Sequence, residues 1–183
     1  VCFFFTAYEW HMMTKKKNYH IIGYLFLIFS FYCAYLLRNM DNDDGGQFFL
    51  LVIAVCVSSD IGGYVFGKIF KGPKLTKISP NKTYSGMVGG YLLSIICINF
   101  YIYYADKYLD ENAEFTIETF MMVILISSIS QFGDIIISFF KRLSKIKDTG
   151  KIIPGHGGIL DRIDGIIFAI PFTYLILISG IFE

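Results

Sequence analysis

The feature that most constrains this chain is a set of five long windows with almost no charged residues. Each window is 19 to 22 residues long and holds at most one Asp, Glu, Lys or Arg: 19–37, 47–67, 84–105, 119–140 and 163–182. A helical window of about 20 apolar residues matches the roughly 30 Å hydrocarbon core of a bilayer. The sequence therefore predicts an all-α, polytopic integral membrane protein with about five transmembrane helices.

Composition excludes several other classes of protein. Of the 183 residues, 55% are hydrophobic and 17% are charged, whereas soluble proteins carry about 25% charged residues. The segments between the windows are short, which excludes a sizeable soluble domain, a disordered chain and a nucleic-acid binder with a basic surface. The four cysteines, Cys2, Cys33, Cys56 and Cys97, lie in apolar stretches without the spacing of a zinc site or a disulfide framework. We interpret them as small buried hydrophobic residues.

The loops alternate in charge along the chain. Lysine and arginine cluster before the first window, after the second, and between the fourth and fifth. Of the 16 lysine and arginine residues, only Arg38 and Lys107 lie elsewhere. The alternate loops carry acidic residues instead: Asp41, Asp43, Asp44, Asp106, Asp110, Glu111, Glu114 and Glu118. Because basic loops are retained in the cytoplasm, the three basic clusters are predicted to be cytoplasmic.

The beginning of the chain has the character of another apolar span. The chain starts at Val1, and residues 1–14 resemble the end of a helix that precedes the first window. We therefore expect a single transmembrane domain over 1–183 that is truncated at its amino terminus.

Small residues recur every four positions in two adjacent windows. Gly63 and Gly67 lie in the second window, and Gly86 and Gly90 lie in the third. Small residues at this spacing allow membrane helices to approach each other closely. We interpret these residues as positions at which membrane helices pack closely.

Three predicted spans are interrupted by a carboxylate, at Asp60, Asp134 and Asp164. An ionised Asp at the centre of a membrane helix costs roughly 2.5 to 3.5 kcal/mol, so such residues usually face a cavity and have a function. All three lie toward the predicted cytoplasmic ends. They therefore indicate a polar site at that side of the membrane.

A polar stripe extends along the fourth window. Its members follow a spacing of four, three, four and three residues, which places them on one helical face: Ser127, Gln131, Asp134, Ser138 and Lys141. Such a stripe lines a pocket or forms a packed polar contact with a neighbouring helix. Because it leads into the densest cluster of charges in the chain, we favour the pocket.

Two cytoplasmic loops carry groups that suit phosphate and metal. In the first, Ser79–Thr83 presents hydroxyls, an amide and the ammonium of Lys82 at the mouth of the third helix. In the second, Asp161 and Asp164 stand one helical turn apart, at the boundary between the loop and the start of the last window. Mg²⁺ prefers a few carboxylates together with substrate phosphates, so these two acids and the facing Asp134 predict a magnesium site.

The segment from Ser138 to Asp164 carries a long, ordered pattern, S-x-x-K-R-x-x-x-x-K-D-x-x-x-x-x-P-G-H-G-G-x-x-D-R-x-D. This pattern resembles the signature of the phosphatidate cytidylyltransferase (CDP-diacylglycerol synthase) family. Shorter similarities occur at Gln131-x-Gly133-Asp134, at Asp60-x-Gly-Gly-Tyr64, at Ser79-Pro-Asn-Lys82-Thr83 and, weakly, at Ala7-Tyr8-Glu9-Trp10. The resemblance implies a catalytic domain that transfers CMP from CTP to phosphatidic acid, giving CDP-diacylglycerol and pyrophosphate. It also implies a bacterial inner (plasma) membrane location with the active site on the cytoplasmic side.

The resemblance assigns expected roles to individual residues. The expected catalytic residues are Asp134, Lys141, Arg142, Asp161 and Asp164. The expected substrate-binding residues are Asp60, Ser79, Lys82, Thr83, Ser138, Lys147, Asp148, His156 and Arg162. Mg²⁺ is the expected cofactor, held by Asp134, Asp161 and Asp164, and a second, monovalent cation is left open. The expected partners are CTP, phosphatidic acid and membrane lipids, without nucleic acid; a homodimer is left open.

Two positions depart from the family pattern. The family usually has an acid just before the signature serine, where this chain has Ile137, and a Glu two residues after the Lys-Thr pair, where it has Ser85. Both changes remove negative charge from the site. Because the other acids of the pattern are intact, we expect activity; the two changes bear on metal affinity or substrate preference.

Two alternative functions stay open at the level of the sequence. One is a CTP-dependent polyprenol or phytol kinase, or another CDP-lipid synthase of the same superfamily. The other is an ion-coupled transporter that uses Asp60 and Asp134 as relay residues. A transporter gives no reason for the basic and glycine-rich loop before the last window.

Overall fold

The computed structural model describes residues 1–15, 17–40, 44–109, 114–150, 152 and 157–181. Over these ranges the chain forms seven α-helices: α1 Cys2–Thr14, α2 His20–Arg38, α3 Asp44–Phe70, α4 Tyr84–Leu109, α5 Ile117–Leu143, α6 Leu160–Ile163 and α7 Ile166–Ile178. Within the same ranges, β pairing is limited to an isolated antiparallel bridge between Lys74 and Thr83. The all-α prediction is confirmed.

Four helices are long and apolar enough to cross a membrane. They are His20–Arg38, Gly45–Phe70, Tyr84–Ala105 and Ile117–Leu143, which coincide with the first four predicted windows. The helix in the fifth window is shorter than predicted. The regular helix α7 has only 13 residues, which span about 20 Å at 1.5 Å per residue. The protein is thus a polytopic membrane protein with four long apolar helices and one shorter apolar helix.

The helices α6 and α7 follow one path with an interruption at Asp164 and Gly165. Both residues keep right-handed helical backbone angles, but regular helix resumes only at Ile166. Helix α7 contacts α2, α3 and α5, and its residues Ala169 and Ile170 belong to the core shared with those helices. This central position of α7 fixes Asp164, just before its first turn, inside the bundle.

Helices α3 and α4 cross at glycines. A Cβ atom at Gly62 would overlap the backbone carbonyl of Gly89, and one at Gly86 would overlap the carbonyl of Gly63. Only glycine lets two backbones approach this closely. The close packing predicted from the four-residue spacing is therefore confirmed.

Helix α1 packs against the cytoplasmic ends predicted for the other helices. Its Trp10 and Met13 join a buried cluster with Leu27 of α2, Ile137 of α5 and Leu160 of α6. The indole nitrogen of Trp10 also donates a 3.0 Å hydrogen bond to the carbonyl of His20. Residues of α1 therefore form an integral part of the bundle.

The cysteines differ from each other in burial, although all four are free thiols. Cys33 and Cys56 are buried in the core, as predicted, and Cys97 is partly buried. The prediction is wrong for Cys2, which is exposed because it lies in the first turn of α1, where no described helix covers it. Large apolar side chains are also exposed along the outer faces of α2 and α4, as expected for surfaces that contact lipid.

Candidate functional site

A cavity of about 350 Å³ opens between α3, the 71–83 loop, α4, α5 and the start of the α6–α7 segment. Most of its lining is polar or small: Ser59, Asp60, Gly63, Tyr64, Ser79, Asn81, Lys82, Thr83, Gly86, Gln131, Asp134, Ser138, Asp161, Arg162 and Asp164, with Leu75 and Met87. The structure thus brings together nine residues predicted from the sequence, which come from four separate parts of the chain: Asp60, Ser79, Lys82, Thr83, Asp134, Ser138, Asp161, Arg162 and Asp164.

The first charged contact in the cavity joins the 71–83 loop to α5. The ammonium of Lys82 lies 2.8 Å from Oδ2 of Asp134, and their side chains are 28% and 13% exposed. The bridge between Lys74 and Thr83 and the hydrogen bond from the Lys82 amide to the Ser79 carbonyl hold the loop backbone in place. The sequence predicts that Lys82 binds a phosphate group. The structure shows in addition that its ammonium group pairs with the carboxylate of Asp134.

The second feature is a close pair of carboxyl groups. The side chains of Asp134 and Asp164 are near enough for hydrogen-bonded contact, and Asp164 is buried. Oδ1 of Asp134 is buried and has no hydrogen-bond donor among the described residues. Gly165 permits this approach, because a Cβ atom there would overlap Ser130 and press against Asp134.

A third cluster surrounds Asp161 in α6. Its Oδ1 lies 2.8 Å from the ammonium of Lys141, and its Oδ2 accepts hydrogen bonds from the Thr149 amide at 2.8 Å, the Thr149 hydroxyl at 3.0 Å and the Gly158 amide at 2.9 Å. Burial opposes ionisation of Asp161, but Lys141 and the two backbone donors outweigh it and hold the pKa of this carboxyl below its usual value. Lys141 also lies 4.0 Å from Oδ2 of Asp164, so one ammonium faces two carboxylates.

The polar stripe of α5 has two functions along its length. Ser127 is fully buried and its hydroxyl lies 2.9 Å from that of Ser59 in α3, so this end is a packed contact rather than part of the predicted pocket. Gln131, one turn further, donates to Ser59 at 3.3 Å and also lines the cavity. Beyond it, Asp134 and Ser138 line the cavity, as predicted.

Several predicted residues lie outside the cavity lining. Arg142 is exposed and donates to the carbonyl of Ile146 at 3.3 Å, while Lys147 and Asp148 are exposed on the loop that follows α5. Their substrate contacts stay predictions. His156 lies outside the described residues.

Glu9 is a buried acid at the edge of this site that residue-level reasoning missed. It is 1% exposed and accepts hydrogen bonds from the Ile159 amide at 3.0 Å, the Leu160 amide at 2.8 Å and the Thr149 hydroxyl at 3.0 Å. Apart from the weak similarity at Ala7–Trp10, the available signal was a single acid within an otherwise apolar stretch, 1–14.

The acidic side chains of the cavity suit a cation that is held by two carboxylates. Among the described residues, no group of three or more His, Cys, Asp or Glu side chains is placed to hold a metal ion, so the predicted trio of Asp134, Asp161 and Asp164 stays a prediction. The carboxyl pair of Asp134 and Asp164, with the unpartnered Oδ1, does fit a divalent ion, because Mg²⁺ commonly takes one or two protein carboxylates and completes its shell with water and substrate phosphates.

Comparison with known proteins supplies the family. Residues 1–179 match the cytidylyltransferase family. The chain is 36% identical over 172 residues to phosphatidate cytidylyltransferase of Rickettsia bellii, covering 92% of this chain and 73% of that protein. It is 38% identical over 176 residues to the protein of the same name from Rickettsia felis, covering 93% and 75%, and 39% identical over 140 residues to that of Staphylococcus haemolyticus, covering 75% and 52%. The chain thus spans about three quarters of the Rickettsia proteins and about half of the Staphylococcus protein. It belongs to the cytidylyltransferase family.

Proposed function

We propose that this protein transfers the CMP group of CTP to phosphatidic acid, giving CDP-diacylglycerol and pyrophosphate in phospholipid biosynthesis. The observation that carries the proposal is the cavity itself, in which carboxylates and ammonium groups meet at the ends of apolar helices. The shared name of the relatives supports the same reaction. A site of this composition suits a triphosphate and a lipid phosphate together.

The reaction joins two anions. A phosphate oxygen of phosphatidic acid attacks the α-phosphorus of CTP, a new P–O bond forms, and the bond to the β-phosphate bridging oxygen breaks as pyrophosphate leaves. Because a phosphate monoester with a second pKa near 6 is largely dianionic at pH 7, the nucleophile needs no dedicated general base. The main barrier is charge repulsion, which fixed positive groups reduce.

Different residues of the chain bind the phosphates, supply positive charge and provide metal ligands. Lys82 and Arg162 in the cavity lining bind phosphate oxygens, with Thr83 and Ser79 as hydroxyl donors. Lys141, held by Asp161, adds positive charge beside Asp164. Asp134 and Asp164 would hold Mg²⁺, which would supply positive charge that neutralises the phosphates. The membrane helices bring these groups to the depth at which the phosphate of a lipid lies.

We place the site on the cytoplasmic face of a bacterial plasma membrane. The cavity lies at the ends of α3 and α5 from which the lysine-rich loops extend, and such loops remain on the cytoplasmic side. In a cysteine-free background, Lys77→Cys should react with a membrane-impermeant maleimide in inverted vesicles and stay unlabelled in intact cells. The reverse pattern would contradict this orientation.

The reaction is tested with purified protein in vesicles that contain phosphatidic acid, together with Mg²⁺ and CTP. Label from α-³²P-CTP should enter lipid as CDP-diacylglycerol, and label from γ-³²P-CTP should not. Lipid labelled only from the γ-position would instead identify a CTP-dependent kinase, and no labelled lipid from either would reject nucleotide transfer.

A further inference from the structure

We propose that Glu9 of α1 is a positioning residue for the reaction, because it fixes through Thr149 the carboxylate of Asp161 that faces Lys141. This inference rests on the proposed function. It links a residue at the beginning of the chain to the charged groups of the cavity, which lie about 140 to 150 positions away in sequence.

Within the described residues, the hydrogen-bond donors to Glu9 are Thr149 and the amides of Ile159 and Leu160, which precede and begin α6. Oε1 accepts from the Ile159 amide, and Oε2 accepts from the Leu160 amide and the Thr149 hydroxyl. A buried carboxylate is costly unless such donors satisfy it. The three hydrogen bonds therefore fix this segment against α1, and Asp161 lies one residue after Leu160.

Two glycines create the space for this carboxylate. A Cβ atom at Gly158 would overlap Oε2 of Glu9, and one at Gly150 would overlap Oε1. The backbone at Gly150 thus lies close to Oε1 of Glu9, and the backbone at Gly158 lies close to Oε2. A residue that served only to pack α1 against α2 would not require a matched cradle in the loop that carries Thr149.

Thr149 transmits the position of Glu9 to Asp161. Its hydroxyl oxygen lies 3.0 Å from Oε2 of Glu9 and 3.0 Å from Oδ2 of Asp161. The hydroxyl has a single proton, which it can donate to either carboxylate, and its oxygen lies within hydrogen-bond distance of both. The opposite oxygen of Asp161 meets Lys141 at 2.8 Å, which extends the chain of contacts into the site.

Three variants test the role. Glu9→Gln places an amide NH₂ group against backbone N–H donors. Thr149→Val removes the bridging hydroxyl at nearly constant side-chain volume. Thr149→Ser keeps the hydroxyl. We expect kcat to fall about 10- to 100-fold in the first two, since small displacements of catalytic groups cost rates of this order. The KM for CTP should stay within about twofold, and Thr149→Ser should retain most of the wild-type kcat.

Thr6→Val is the matched control. Thr6 is a buried threonine of α1, the helix that also carries Glu9. Its hydroxyl donates to carbonyls of α1 itself, at 2.9 Å to Phe3 and 3.2 Å to Cys2. It should retain wild-type kcat. A wild-type kcat in Thr149→Val, or an equal loss in Thr149→Ser, would overturn the positioning role.

A second measurement separates this inference from the proposed function. Trypsin cleavage after the exposed Lys147 reports how firmly the loop is held and requires no turnover. Glu9→Gln and Thr149→Val should be cleaved several-fold faster than wild type and Thr6→Val. Equal cleavage rates would refute the link even if the wild-type protein makes CDP-diacylglycerol, while absence of that product would reject the proposed function alone.

Discussion

The hydroxyl of Ser30 in α2 donates a 2.6 Å hydrogen bond to the backbone carbonyl of Ile167 in α7. Four residues after Ile167 the chain has Pro171, which lacks the N–H that would normally bind this carbonyl within the helix. Ser30 therefore replaces the missing helical donor from a neighbouring helix. The contact explains how a proline is accommodated in a helix that packs against α2, α3 and α5.

Ser30→Ala should lower the free energy of unfolding by about 1 kcal/mol, because a buried carbonyl would lose its donor. Pro171→Ala restores an N–H within α7, so Ser30→Ala should cost much less in that background. Reversible unfolding in detergent, measured for the two single variants and the double variant, checks this compensation. The same cost in both backgrounds would show that Ser30 does not compensate for the proline.

Gly62→Ala should destabilise the protein by about 1 to 3 kcal/mol, the usual range for overpacking, because the added methyl group would overlap the backbone of α4. Gly46→Ala in the same helix is the matched control, since a Cβ atom there meets no atom within 4 Å. Thermal unfolding should show a clear loss for Gly62→Ala and no loss for Gly46→Ala. Equal behaviour of the two variants would argue against the backbone contact.

Lys82→Met should reduce kcat/KM at least about 100-fold, because it removes a positive charge from the phosphates and leaves Asp134 without its partner at 2.8 Å. Lys77→Met removes a lysine from the same loop at an exposed position outside the cavity lining. It should keep near-normal activity in the vesicle assay. A comparable loss in both variants would indicate a general effect of loop charge on membrane binding.

Asp134→Asn should abolish turnover while membrane insertion stays normal. The substitution keeps the size of the side chain but removes the charge that faces Lys82 and Asp164. Incorporation of α-³²P into lipid reports activity, and the yield of protein extracted from membranes reports insertion. Near-normal activity would contradict the proposed role of Asp134 in holding Mg²⁺.

The dependence of stability on pH should show the ionisation of Asp161. Burial raises its pKa, but Lys141 and the backbone amides of Gly158 and Thr149 outweigh this and hold the pKa below its usual value, so folding is favoured by its charged form. This stabilisation is complete above about pH 5 and is lost as pH falls through the lowered pKa. Unfolding temperatures should therefore decline less between pH 5 and pH 3 in Asp161→Asn than in the wild type. Parallel declines would contradict the lowered pKa.

The sequence predicted the spans well because about 20 apolar residues without charge have few alternatives to a membrane helix. It also predicted that Asp134 and Lys82 belong to one site, since each residue carries a strong chemical preference. It did not reveal that Ser127 forms a helix contact, because a polar residue on a stripe looks the same whether it faces a cavity or another hydroxyl. The pairing of Glu9 with Thr149 depends on tertiary contacts between distant segments, which periodicity and spacing do not encode.

The crossing of α3 and α4 at glycines has a mechanical consequence for the cavity. Because backbone lies directly on backbone at this crossing, no side chain there can change rotamer, and we infer that α3 and α4 stay fixed relative to each other. Asp60 lies on α3, and Lys82 and Thr83 directly precede α4. Asp134 and Ser138 belong to the opposite wall, on α5. We therefore expect a change in the width of the cavity to occur between the α3–α4 pair and α5. The Lys82–Asp134 ion pair connects these two walls. Entry of a cation or a triphosphate between the two charges would loosen this contact at the site that we propose for the substrate.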